Sequence, residues 1–217
     1  MRARTTWISA QGEPTVTLLL RHGQTPMSVQ KRYAGLTDAP LTDTGIRQAA
    51  AAAKRLAPAG IDAIVASPLQ RTVRTAGEVA AVTGVPVLTD EGFRETDFGA
   101  WEGLTFAEVR ERWPSEVTAW LADPSVAPPG GESFAQVSER VTAALRRVLA
   151  EREHQTVLIV SHVTPIKTLV AAALLAPPAA LYRMHLDIAA LCEIDWYADG
   201  PAVLRSFNDT AHLHGIW

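Results

Sequence analysis

Three short stretches combine basic side chains with hydroxyls: Arg21-His22-Gly23-Gln24-Thr25, Ser67-Pro68-Leu69-Gln70-Arg71-Thr72 and Ser161-His162-Val163-Thr164. Arginine offers a planar fork of donors that matches phosphate oxygens, and histidine is the side chain most easily poised near neutral pH as nucleophile or proton carrier. Singly, each has a plain structural explanation, since a histidine at a strand end usually serves as hydrogen-bonded scaffolding and an arginine as half of a surface ion pair. Together, two arginines and two histidines would repel one another without an anion between them, so the pattern reads as an anion site.

Each stretch directly follows an apolar, β-branched run, at residues 15–20, 61–66 and 156–160. Such runs are the mark of strands buried on both faces. Helical patterns separate them: residues 43–57, halted by Pro58 and Gly60; 69–83; and 106–121, where Val109, Trp113, Val117, Trp120 and Leu121 fall near helical spacing but Pro114 can bend or split the run. A further helix follows Ser133, which forms a capping box with Gln136, and extends to about Arg152; another spans 164–175 with Pro165 in its first turn. Strand-like segments at 188–196 and 202–207 close the chain. Pro128-Pro129-Gly130-Gly131 lies in a loop within one domain, because strand and helix keep alternating afterwards. The alternation predicts an α/β fold, a three-layer α/β/α sandwich around a mostly parallel sheet, in which ligands bind beyond the carboxyl ends of the strands.

Composition narrows the partners. The chain has 217 residues, 47% hydrophobic and 20% charged, with a formal charge of −3. That is ample for a core in one domain over residues 15–217, preceded by a polar, aperiodic tail or linker remnant at 1–14. A near-neutral balance gives no general basic field, so no direct nucleic-acid binding is expected and the partner is a small molecule. The single cysteine, Cys192, excludes an intrachain disulfide and a multi-cysteine zinc site, and its apolar neighbours place it in the core. No run reaches the length of a membrane span and the start lacks a signal-peptide core, which makes the cytoplasm the default location. His212 and His214 have the spacing of a metal pair but no further ligand nearby, and the tryptophans read as core; oligomeric state is left open.

Other segments complete an ordered set: Gly35, then Asp38-Ala39-Pro40-Leu41-Thr42 and Gly45; Glu95-Thr96-Asp97-Phe98-Gly99-Ala100-Trp101-Glu102-Gly103; and Pro129-Gly130-Gly131-Glu132-Ser133. With Leu20-Arg21-His22-Gly23-Gln24-Thr25 before them and Ser161-His162 after, the chain resembles the histidine phosphatase superfamily, of phosphoglycerate mutase-like fold, across residues 15–207. Tyr33-Ala34-Gly35, residues 95–108 and residues 161–167 make it most similar to the acid phosphatase domain of actinobacterial bifunctional RNase H/acid phosphatase proteins and to α-ribazole phosphatases.

The resemblance implies a phosphomonoesterase acting on a small phosphorylated metabolite without metal or other cofactor. His22 would be the nucleophile, its second ring nitrogen donating to the carbonyl of Gly23, with Arg21 and Arg71 keeping it neutral. Arg21, Arg71 and a protonated His162 would stabilise the transferring phosphoryl group, and Glu95 would protonate the leaving oxygen and then activate water. Gln24, Thr25, Ser28, Gly35 and the main-chain N–H of Val163 would complete phosphate and substrate binding. Ser28 stands where the family pattern has Asn, and its hydroxyl can still donate to phosphate. Asp97 and Glu102 would shape the rim, and Arg94 would lie near the substrate. Two rivals share the pocket: a phosphoglycerate mutase-like phosphotransferase, which would return the phosphate to a bound acid, and a non-catalytic phosphate-binding scaffold, which typically lacks the nucleophile or an arginine.

Overall fold

The computed structural model describes residues 12–216. Residues 1–11 of the expected tail, and Trp217, lie outside the described residues; the first strand, β1 (Thr15–Arg21), begins where the apolar run does. It is followed by a short helix α1 (Pro26–Val29), α2 (Asp43–Leu56), β2 (Ala63–Ala66), α3 (Gln70–Thr83) and β3 (Val87–Thr89). Next come α4 (Phe106–Arg112), α5 (Pro114–Ala122), α6 (Phe134–Glu151), β4 (Thr156–Ser161), α7 (Val163–Ala173), β5 (Leu191–Trp196) and β6 (Ala202–Asp209).

The six strands form one sheet in the order β3-β2-β4-β1-β5-β6. All neighbouring pairs from β3 to β1 are parallel; β5 runs antiparallel to both β1 and β6. Alternate side chains of the central strands serve opposite layers, as the two-residue period of a strand requires. Val157 and Ile159 pack with α6 and α7 residues such as Val141, Leu145 and Leu169, while Leu158 and Val160 pack with Ala52, Leu56, Ala76 and Val79 of α2 and α3. Helices thus cover both faces, and the three-layer sandwich is present. Cys192 is buried in the first of these layers.

Local chemistry sets the element ends. Thr42 caps α2 through the Gly45 N–H, Ser133 and Gln136 form the expected capping box of α6, and Gly60 and Gly84 adopt left-handed conformations after α2 and α3. The helix expected at 106–121 is two helices. Pro114 starts the second, because its ring cannot continue the α4 backbone and its missing N–H is harmless in a first turn. α4 and α5 bury Val109, Val117 and Trp120 in a third, aromatic-rich cluster with Phe98, Trp101 and Phe134, whereas Leu121 stays exposed. Among the described residues no helix is long and apolar enough to cross a membrane.

Candidate active site

The register of the sheet assembles the site. Arg21 of β1 is paired with Ser161 of β4, so His22 and His162 step off adjacent parallel strands side by side, with ring centroids 5.2 Å apart and planes at 61°. β2 delivers Ser67 beside them, since Ala66 pairs with Val160.

His22 is 6% exposed, and its Nδ1 lies 2.8 Å from the Gly23 carbonyl. A carbonyl only accepts, so Nδ1 carries the proton and Nε2 keeps its lone pair. Burial, with the charges of Arg71 and Arg21 next, holds the His22 pKa well below the usual histidine value, so the ring is neutral at pH 7. The loop carrying it is clamped from two helices: Gly23 N–H donates to Thr75 of α3 and Gln24 N–H to the buried Gln48 of α2. Gly23 and Gly45 face each other so closely that a Cβ on either would collide with backbone of the other segment, which explains two glycines where φ itself demands none.

His162 is held in one tautomer by its neighbours. Arg71 Nε can only donate, and it approaches His162 Nδ1 at 3.3 Å, leaving the ring proton on Nε2 to be donated to Ser67 Oγ at 2.8 Å. Burial and the neighbouring Arg71, His22, Arg21 and Arg140 push the His162 pKa well down, which favours the neutral ring; the expected protonated form is one that a phosphate dianion would support. Arg71 and His162 are fully buried next to the cleft-lining His22. The remaining Arg71 donors engage the carbonyls of Ala34, Gly35 and Thr37, fixing the loop after α1. Arg21 faces the cleft; one nitrogen donates to Leu186 O at 2.7 Å, but its buried Nε has no partner, and burial lowers its pKa to about 10. Arg21 is thus a cation that lines the cleft and is in no ion pair among the described residues, which suits it to an anion.

Glu95 is 6% exposed and also lines the cleft. Its carboxylate accepts from Thr96 N (2.9 Å), from Val163 N (3.0 Å) and, at 3.3 Å, from Thr164 N at the start of α7. The expected phosphate donor at Val163 is therefore engaged by Glu95 here. Arg140 of α6 secures this segment, donating to the carbonyls of Gly92, Arg94 and Glu95 while holding Glu132 with two 2.7 Å bonds. Nothing in the sequence pattern distinguishes Arg140 from other helix-surface arginines, although its partner Glu132 sits in a quoted motif.

The other expected contact residues have these partners in the structure. Ser28 closes a capping box on α1 with Thr25, its hydroxyl donating to Thr25 O at 2.8 Å, so both residues line the cleft while bonded to one another. Gln24 accepts from Thr42 Oγ1 at the start of α2 and is not part of the lining. Gly35 is packed against Thr96, Phe98 and Glu102 with no room for a Cβ, and its contribution is the carbonyl that grips Arg71. Arg94 pairs with Glu91 at the surface, outside the cleft. Asp97 and Glu102 shape the loop as expected, bonding Gly99 N, Leu36 N and Thr37 Oγ1. Among the described residues no cluster of three metal-ligating side chains is found, and His212 bonds the Ala189 carbonyl.

Comparison with known proteins gives a consistent result. Residues 17–210 match the family model of the histidine phosphatase superfamily, branch 1. A bifunctional protein of Mycobacterium tuberculosis is 50% identical over 208 residues, covering 95% of this chain; the chain spans 57% of that relative's length. Phosphoserine phosphatase 1 of Hydrogenobacter thermophilus is 33% identical, with 90% of this chain and 93% of that one covered. A mycobacterial glucosyl-3-phosphoglycerate phosphatase solved with VO3 superposes with a TM-score of 0.84 at 31% identity, covering 90% of this chain and 100% of that one.

Proposed function

The chain belongs to the histidine phosphatase superfamily, and on that premise we propose that it hydrolyses phosphomonoesters of small metabolites through a phosphohistidine on His22, without a metal ion. The observation that carries this is the His22 tautomer, whose Nδ1–H is anchored on Gly23 O so that Nε2 is the free nucleophilic atom, with Arg21 lining the same cleft. The phosphatase names of the similar proteins support the reaction class.

In the first step the Nε2 lone pair forms a bond to phosphorus while the ester P–O bond breaks, and Glu95, the one carboxyl among the residues lining the cleft, gives its proton to the departing oxygen. The transition state is loose, with charge spread on the equatorial oxygens, so positioning and positive charge do most of the work. Arg21 supplies that charge directly. Arg71 supplies it from its buried position next to His22, and the arriving dianion favours protonation of His162, reversing the balance that favours the neutral ring. The Val163 and Thr164 N–H groups, shared with Glu95, turn toward the phosphoryl oxygens. In the second step Glu95 takes a proton from water, the water oxygen bonds to phosphorus, the N–P bond breaks, and neutral His22 returns.

A phosphotransferase would need cations for the carboxylate of its acceptor; beyond Arg21 the cleft offers Arg32, already paired with Glu108, and Lys167 beside five aromatic rings, which favours hydrolysis. Turnover of a phosphomonoester in EDTA tests the proposal. The wild-type chain should retain its activity, and His22→Ala should lose it by at least ~10³-fold. Appreciable activity in the variant, or a wild-type metal requirement, would overturn the mechanism.

A further inference from the structure

The cleft, phosphate floor included, encloses about 430 Å³, a size that suits a whole small organic ligand rather than a phosphoryl group alone. Its walls are a connected set of rings. Tyr33 meets Phe98 at 4.6 Å, Trp120 meets Phe134 at 5.0 Å and Tyr182 at 6.0 Å, and Phe134 meets Tyr182 at 5.8 Å. All five rings line the cleft. The Tyr182 hydroxyl donates to the Trp120 carbonyl at 2.6 Å, so its proton is already engaged.

The cations at this end are few. Arg32 is bound to Glu108 at 3.0 Å and to the Gly103 carbonyl at 2.7 Å, so its charge is already matched. Lys167, one turn into α7, is in no ion pair among the described residues; its ammonium is 3.4 Å from the Leu181 carbonyl, and burial lowers its pKa. An acidic alcohol would surrender carboxylate hydration among five rings for one partly desolvated lysine. A ring would lose nothing comparable and would bury apolar surface edge-to-face or offset-stacked.

Resting on the phosphatase reading of the floor, we propose that this cleft selects phosphomonoesters of neutral alcohols that carry an aromatic or other flat apolar ring, with Trp120, Phe134 and Tyr182 as specificity-determining residues. The experiment compares kcat/KM for 2-phenylethyl phosphate, glycerol 3-phosphate and 3-phosphoglycerate, all primary or secondary alkyl esters. The phenylethyl ester should lead by about 10- to 100-fold, the scale of moving a phenyl ring from water to an apolar site. Tyr182→Ala should shrink that ratio, and Tyr182→Phe, which keeps the ring, should restore it. Lys167→Met should leave phenylethyl phosphate ahead of 3-phosphoglycerate. A preference for 3-phosphoglycerate that disappears in Lys167→Met would overturn the proposal while leaving the phosphatase reading intact, as would equal losses for all esters in Tyr182→Ala. Absence of turnover for every ester would instead remove the phosphatase reading, and the proposal with it.

Discussion

On the proposed mechanism His22 is a neutral nucleophile among cations, and burial first, with those cations next, keeps it neutral. Burial, Arg71 and Arg21 hold its pKa well below 6.5. Protonation removes the attacking lone pair, so activity is lost as pH falls through this depressed value; between about pH 7.5 and 6.5 His22 should contribute no loss in kcat/KM. Arg71→Met should move the acid limb upward. A wild-type limb centred at 6.5 or above would contradict this assignment. Glu95 has a different signature. If it protonates the leaving oxygen, Glu95→Gln should slow alkyl esters far more than p-nitrophenyl phosphate, whose phenolate departs unaided. The contrast belongs in kcat/KM, because phosphohistidine hydrolysis is common to both substrates and can mask it in kcat. Equal losses would remove Glu95 as donor. The reacting residue types were legible because few side chains can do this chemistry. The supporting ones were not: the hydroxyl of Ser28, the amide of Gln24 and the N–H of Val163 can each serve phosphate or a protein neighbour, and only the folded geometry shows that Thr25, Thr42 and Glu95 hold them.

Secondary structure contributes register and close approach. The β1–β4 pairing of Arg21 with Ser161 is what turns two sequence-distant histidines into neighbours, and the loop after His22 is pressed into place by the start of α2. Gly45→Ala should therefore act at a distance from the chemistry. The added methyl meets the Gln24 backbone, so stability should fall by about 1–3 kcal/mol, the usual cost of overpacking, and kcat/KM should fall with it as His22 is displaced. Urea unfolding and steady-state kinetics on the same preparation check both; an unchanged midpoint with unchanged kinetics would show that this contact is not needed. The central strands and main helices were readable from apolar runs and caps. The edge strand β3 was not, since Val87-Leu88-Thr89 is three residues long with Leu88 exposed and carries no alternation to detect. The direction of β5 was equally hidden, because Leu191-Cys192-Glu193-Ile194-Asp195-Trp196 reads as a strand without saying which way its neighbour runs. Pro114 announced a break, but only packing of α4 and α5 into the aromatic cluster shows why both halves persist.

For the molecule as a whole, the site carries a cost in stability. Two histidines buried neutral, His22 and His162, have pKa values well below 6.5 in the folded chain, whereas in the unfolded chain they take up protons near 6.5. The unfolded state then binds more protons as pH falls. Stability is fully present above about pH 7 and declines below 6.5, with a slope of up to about 1.4 kcal/mol per pH unit for each histidine. Urea midpoints at about pH 7.5, 6.5 and 5.5 should decrease in that order; a flat or rising series would mean that these rings are not held neutral. The central claim, covalent catalysis by His22, is open to a direct measurement on the intact chain. Rapid mixing with a phosphomonoester followed by alkaline quench and mass measurement should show a single added phosphoryl group that is stable in alkali, lost in acid, located on His22 and missing from His22→Ala. Turnover with no such adduct in an otherwise active preparation that accumulates none under single-turnover conditions, or an adduct on another residue, would contradict it.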